Sequence, residues 1–461
     1  MVFSDLIFLF FFLPAVLLVT KLSPRRIRNI ELLLFSLLFY AWGEPIYVLL
    51  MLSVIIINYA AGLSLACFPV KTHAFERKLI LVLAIIINLA ILGYFKYTGF
   101  VLNSLNKLFG KNLSIPEILL PIGISFYIFQ SMSYVIDVYR YHVRPQQNLL
   151  LFGTYVSLFP QLIAGPIVRY RDIADQLTER EETMARFSYG VKRFIYGLAK
   201  KVLIANQMGI LTDRMLLNEP GTISAWVGIA AYTLQIYFDF SGYSDMAIGL
   251  GRMMGFRFIE NFAHPYVSRS ITEFWRRWHI SLSSWFKEYV YIPLGGNRKG
   301  LARQCLNILI VWMLTGLWHG AAVNFLLWGI YYAVLLILEK LFLGRLISRL
   351  PRFIQHLLTL FIVAFGWGIF YYTDIELWRI FVDRLFVCQT DSAESLKFAL
   401  AYIPVFLVAC PASTMLPRKI LKKLRYSAFA FLEIPFLSAL FILCTAALVS
   451  QSYNPFIYFR F

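Results

Sequence analysis

Charge is scarce in this chain. Only 15% of its 461 residues are charged and 59% are hydrophobic. An ordinary soluble domain carries about 25% charged residues. That shortage excludes a single water-facing fold, because the polar residues are too few to cover an apolar mass of this size. Cysteine is scarce too: Cys67, Cys305, Cys388, Cys410 and Cys444 form no C-x-x-C pair. This excludes a disulfide framework or a zinc ribbon, and leaves the cysteines as small apolar residues. Neither G-x-S-x-G nor H-E-x-x-H occurs, and no histidine pair has metal-ligand spacing, so no metal is expected. There is no repeat of fixed period and no low-complexity linker, which favours one integrated domain over residues 1–461.

What the chain does have is long continuous apolar runs, many close to the roughly 20 residues that span a bilayer as helix. Their continuity, without alternation, argues against a barrel. The expected fold is an all-α polytopic membrane protein with about eleven spans. The net charge of +18 fits loops held on the cytoplasmic side better than nucleic acid binding. Part of it could also meet a polyanionic ligand.

The first run, Ile7 to Val19, is followed rather than preceded by basic residues, including Arg25, Arg26 and Arg28. It reads as a first span and not as a removed signal. Residues 31–68 are apolar but broken at "WGEP", where Pro45 has no amide proton to donate, so two passes or a kinked hairpin are expected. Further spans are expected at 79–97 and 117–138. The stretch "YVSLFPQLIAGPIVRYRD" is apolar, interrupted by Pro160, Gly165 and Pro166, and basic on both flanks. A re-entrant element fits it, buried in protein or lining a cavity. Apolar runs resume at 202–217, 223–250, 304–317, 321–339, 354–371, 398–412 and 430–450.

Three constellations could carry chemistry. In "LTGLWHGAAVNFLLWG" one ionisable residue, His319, sits between Trp318 and Gly320, with Asn324 following. An imidazole at membrane depth needs partners or a task. Burial disfavours its charged form, which suits a general base, although two satisfied ring nitrogens would serve packing alone. In "EFWRRWHISLSSWFKEYVYIPLGGNRKG" apolar residues including Trp275 and Trp278 recur at near-helical spacing. An interfacial amphipathic helix is the plain reading. The functional one adds His279 facing a pocket, with Arg276, Arg277, Lys287, Arg298 and Lys299 available to phosphate groups. "GGNRKG" is not a P-loop. In "YFDFSGYSDMAIGLGRMMGF" Asp239 and Asp245 each cost about 2.5–3.5 kcal/mol at a bilayer centre. Pairing with Arg252 or Arg257, or a proton relay, would account for them.

These motifs, with "SFYIFQSMSYVIDVYR", "LFPQLIAGPIVRY" and "GLAKKVLIAN", resemble the membrane-bound O-acyltransferase (MBOAT) family, most of all its alginate- and peptidoglycan-acetylating branch. The likeness runs over about residues 1–345; helices at 346–461 agree only in hydropathy. The resemblance implies a helical bundle around a central tunnel in the bacterial cytoplasmic membrane. It implies acetyl-CoA as donor substrate with no permanently bound cofactor. It also implies an exported or cell-wall polysaccharide as acceptor, reached through an extracytoplasmic partner of the SGNH-esterase-like type. It makes His319 the essential histidine and His279 the second polar position. Candidates for lining the tunnel are Trp318, Gly320, Asn324, Trp275, Trp278, Tyr243, Asp239 and Asp245. Two alternatives stand beside acetyl transfer. D-alanyl transfer to teichoic acid shares the "FWRRWH" theme. A proton-coupled transporter or flippase would use Asp239, Asp245 and His319 as a relay, though the inverted repeats common in transporters are missing.

Overall fold

In the computed structural model of the chain, the described residues are 1–417, 419–420, 431–450, 453–454 and 456–457. They form helices joined by turns and contain no strand. Six helices among them are long and apolar enough to cross a membrane: Tyr47–Cys67, Ala74–Phe109, Gly300–His319, Val323–Ser348, Arg352–Tyr371 and Glu433–Ser450. A bent pair, Ala393–Ala401 and Ile403–Ala412 at 46°, makes a seventh if counted as one span. The expected eleven is not confirmed among the described residues. Helix Ile124–Tyr139 has 16 residues, about 24 Å of rise. Helix Thr222–Met253 is long, but it carries buried Gln235, Asp239, Ser241 and Ser244.

The chain divides into two compact units: Met1–Phe194 with Met246–Ile259, and Ile195–Asp245 with Glu260–Phe461. In the first unit the break at "WGEP" separates helix Arg28–Ala41 from helix Tyr47–Cys67, as Pro45 requires. Helix Ala74–Phe109 runs well past the expected 79–97 and ends at Gly110 in the left-handed conformation (φ 61°). Every residue from Ile124 to Val138 is buried.

The expected re-entrant element is a short helix Leu149–Ser157, a bend at Leu158, one turn Phe159–Leu162 and non-helical chain up to helix Tyr170–Thr178. Its backbone finds partners within the protein. The Phe159 amide donates to Ser36 Oγ at 3.1 Å, and the Tyr155 hydroxyl donates to the carbonyls of Val168 and Gln130, both at 3.1 Å. Phe159 packs among Phe12 and Phe39, ring centroids 5.4 and 5.5 Å away. Residues 152–168 are buried throughout, which meets the condition for irregular backbone at membrane depth.

In the second unit, helices Gly300–His319 and Val323–Leu338 cross at Gly316 and Gly329. A methyl group on either glycine would collide with backbone of the facing helix, so two hydrogens are what allow the close approach. The two carboxylates of helix Thr222–Met253, buried Asp239 and half-buried Asp245, are neutralised from one neighbouring segment. Lys201 Nζ lies 2.7 Å from Asp239, and Lys200 Nζ lies 2.6 Å from Asp245. Neither partner is the Arg252 or Arg257 that sequence proximity suggests. Adjacent lysines on the preceding helical segment come alongside, whereas Arg252 and Arg257 lie further along the chain in residues of the first unit.

Candidate functional site

The "WRRWH" segment is not one amphipathic helix. It folds as helix Ile271–Arg277, then Trp278 and His279, then helix Ile280–Phe286 continued by a wider turn to Tyr291. The break falls at His279, whose backbone is left-handed (φ 44°, ψ 55°). That conformation is costly for a residue with a β-carbon and clusters at functional sites. The aromatics here are not a surface belt: Phe274, Trp275, Trp278, Trp285 and Phe286 are all buried.

His319 is the last residue of its helix, 7% exposed. Its ring meets Trp318, Trp328 and Phe370 edge-on, at centroid distances of 5.0, 5.2 and 5.4 Å. The ring of His279 lies 6.4 Å away. His279 is 2% exposed and also packs on Phe240 at 4.7 Å and Trp318 at 5.8 Å. It lies outside the apolar spans. Burial, with a smaller contribution from His319, holds its imidazole well below the usual histidine range, so it is neutral at pH 7.

A small pocket beside His319 is lined by Ile236, Phe240, Trp278, His319, Trp328, Trp367 and Phe370. Its walls are almost wholly apolar and aromatic. The indole N–H of Trp328 is buried and has no acceptor among the described residues, so a donor stands in the wall beside the imidazole.

The expected tunnel-lining residues divide by place. Trp278 lines the pocket with His319, and Trp318 touches both histidines. Trp275 forms a second aromatic layer behind, on Trp312, Trp328 and Tyr332. Asn324 braces the wall, donating to the carbonyls of Phe370 (3.2 Å) and Ile369 (3.4 Å). Gly320 lies under the Phe325 ring. Asp239, Asp245 and Tyr243 are engaged elsewhere: the aspartates with their lysines, and Tyr243 with the Phe456 ring at 4.7 Å. Asp239 also accepts the Ile457 amide at 2.9 Å.

Among the candidate phosphate cations, Arg277 is committed to Glu273 at 2.8 Å and to the Ala263 carbonyl at 3.0 Å. Arg276, Lys287, Arg298 and Lys299 are exposed. Gly295 (φ 108°) and Gly296 (φ 56°) form the turn before the last two.

Sequence reasoning missed part of the pocket. Trp367 and Phe370 lie beyond the stretch that carries the resemblance, and nothing local distinguishes them from other apolar residues. Asn261 was missed as well. It joins His279 to Ser281 and Ser244 by hydrogen bonds, yet "ENFAHP" has no feature that announces this.

Residues 142–380 match the family model described as MBOAT, membrane-bound O-acyltransferase family. The chain belongs to this family. A relative from Pseudomonas aeruginosa, named a probable alginate O-acetylase AlgI, is 46% identical over 387 residues, 83% of this chain and 74% of that protein. The protein of the same name from Pseudomonas putida is 41% identical over 496 aligned positions, covering 100% of both chains. A peptidoglycan O-acetyltransferase from Helicobacter pylori is 32% identical over 413 residues, 82% of this chain and 78% of that protein. The MBOAT protein described here is thus an O-acyltransferase and a multi-pass protein of the bacterial cytoplasmic membrane.

Proposed function

We propose that this MBOAT protein is an O-acetyltransferase that moves acetyl from cytoplasmic acetyl-CoA across the membrane to hydroxyls of an exported or cell-wall polysaccharide of alginate or peptidoglycan type. The observation that carries the reading is the site itself: His319 lines a small, aromatic pocket, and the buried, neutral His279 stands 6.4 Å from it, ring centroid to ring centroid. The names of the relatives, alginate O-acetylase and peptidoglycan O-acetyltransferase, support the same acyl group and acceptor class.

In this mechanism His319 takes the proton of an acceptor hydroxyl as its oxygen attacks the thioester carbonyl. The carbon–sulfur bond breaks, and the proton passes to the departing thiolate. The products are an acetyl ester and free coenzyme A. Trp328 N–H can donate to the carbonyl oxygen as negative charge develops on it. An acetyl group held on the His319 ring before transfer would balance equally. The exposed cations Arg276, Lys287, Arg298 and Lys299 are the residues offered for the donor's phosphates. An extracytoplasmic SGNH-esterase-like protein is the partner offered for delivery of the acetyl group to the polymer.

The test uses purified protein in nanodiscs with acetyl-labelled acetyl-CoA and a competent acceptor. Thioester cleavage that disappears in a folded His319→Ala variant supports the reading. Equal cleavage by variant and wild type overturns it.

A further inference from the structure

Asn261 is fully buried beside His279, and its side chain is oriented without ambiguity. The peptide N–H of Ser281 points at Asn261 Oδ1 from 3.2 Å. A peptide N–H can only donate, so the atom facing it is the amide oxygen and not the amide nitrogen. The Ser281 hydroxyl donates to the same oxygen at 2.9 Å, which leaves that hydroxyl with lone pairs to offer. On its other side the Asn261 amide nitrogen donates to Ser244 Oγ at 3.1 Å. The main chain adds a further tie, from the Ile280 amide to the Asn261 carbonyl at 2.9 Å.

Two atoms face His279 Nδ1: Asn261 Oδ1 at 3.1 Å and Ser281 Oγ at 3.4 Å. Both are acceptors in this arrangement. Nδ1 must therefore carry the ring proton, and in a neutral imidazole that leaves the lone pair on Nε2. We propose that Asn261 is a positioning residue that fixes the tautomer of His279, so that the ring can act only as a proton acceptor, at Nε2. The proposal rests on the reading of the site given above and adds a residue to it. His319 is the titratable side chain that bears on His279. Phe240 and Trp318, which also pack on the ring, do not titrate.

Asn261→Asp makes the sharpest perturbation. It puts a carboxylate where the amide oxygen stands, which favours the doubly protonated ring and raises its pKa by roughly 1 to 3 units. A doubly protonated ring has no lone pair, so the acid limb of the kcat/KM profile moves to higher pH by a similar amount. Asn261→Ala frees the tautomer and lowers kcat/KM by roughly 100-fold without that displacement of the limb. Neither change is expected of a residue that only packs.

The experiment is nitrogen-15 NMR of histidine-labelled protein in nanodiscs, with His279→Gln used for assignment, together with pH profiles of both Asn261 variants. Expected is a His279 ring protonated at Nδ1 and bare at Nε2 in wild type. A proton on Nε2 overturns the proposal, as does an unmoved profile in a monodisperse Asn261→Asp protein. The wild-type tautomer is read without any variant of Asn261, so a variant that fails to fold does not remove the test. It is also read without turnover. An inactive pocket would defeat the catalytic reading while leaving the tautomer measured.

Discussion

The rings of His279 and His319 lie 6.4 Å apart, centroid to centroid, although the helical stretch Ile280–Tyr291, a loop and the whole helix Gly300–His319 lie between them in the chain. Each is held by a different device. His319 rides at the end of a helix fixed by the Gly316–Gly329 crossing. His279 sits in a left-handed break fixed by Asn261. The division suggests which substitutions should act on chemistry and which on folding.

Replacing His319 by Ala or Gln should lower acetyl transfer by roughly 100- to 10,000-fold, with no change in the elution of the protein on size exclusion. The Gln variant keeps the ring's approximate volume, so its loss measures chemistry rather than a void. Labelled acetyl-CoA and a competent acceptor give the rate.

Trp328 can be divided into its ring and its N–H. Trp328→Phe should lower kcat by roughly 10-fold or more while leaving thermal stability close to wild type, because the proposed mechanism loses its donor to the carbonyl oxygen. Trp328→Ala should cost about 3–5 kcal/mol of stability as well, through the cavity it leaves. Equal kcat for wild type and the Phe variant would remove the N–H from the mechanism.

Acyl-chain length should follow the pocket wall. Phe370→Ala enlarges the cavity that His319 lines, so cleavage of butyryl-CoA relative to acetyl-CoA should rise several-fold. An unchanged ratio would mean that the acyl group lies elsewhere.

The Lys201–Asp239 pair is nearly inaccessible, at 4% and 2% side-chain exposure. Removing one partner strands a buried charge, so Lys201→Met or Asp239→Asn alone should destabilise by about 3–5 kcal/mol. The double variant should recover most of that loss in thermal unfolding. Recovery of stability without activity would point to a functional role for the pair beyond charge balance.

Acid should act on His279 in a defined direction. Its folded pKa lies below the free value of 6.5, so the unfolded chain binds the extra proton as pH falls past about 6.5. Folded stability is then complete above that pH and declines below it. The neutral ring persists under the same conditions, so the acid limb of kcat/KM should lie below pH 6.5. A limb at or above that value would assign it to another group.

Local chemistry determined a large share of this protein. The shortage of charge and the apolar runs dictated a helical membrane fold, because backbone in hydrocarbon must satisfy its own hydrogen bonds. Pro45 dictated the break after Trp42, and Pro160 with Gly165 and Pro166 marked the buried turn within 152–168, since proline past the first turn of a helix removes a backbone donor and crowds the preceding turn. His319 stood out because an ionisable residue in such sequence is rare. The tertiary structure decided the rest. Nothing near Asp239 or Asp245 in sequence names Lys201 and Lys200 as their partners. Nothing in "ENFAHP" indicates that Asn261 grips His279. The regular aromatic spacing of residues 274–286 even pointed to a single surface helix, where the structure has a break and a buried wall. Periodicity reports what one helix does along its own axis. Hydrogen bonds, ion pairs and ring contacts between distant segments depend on which faces meet, and that is settled only when the helices pack.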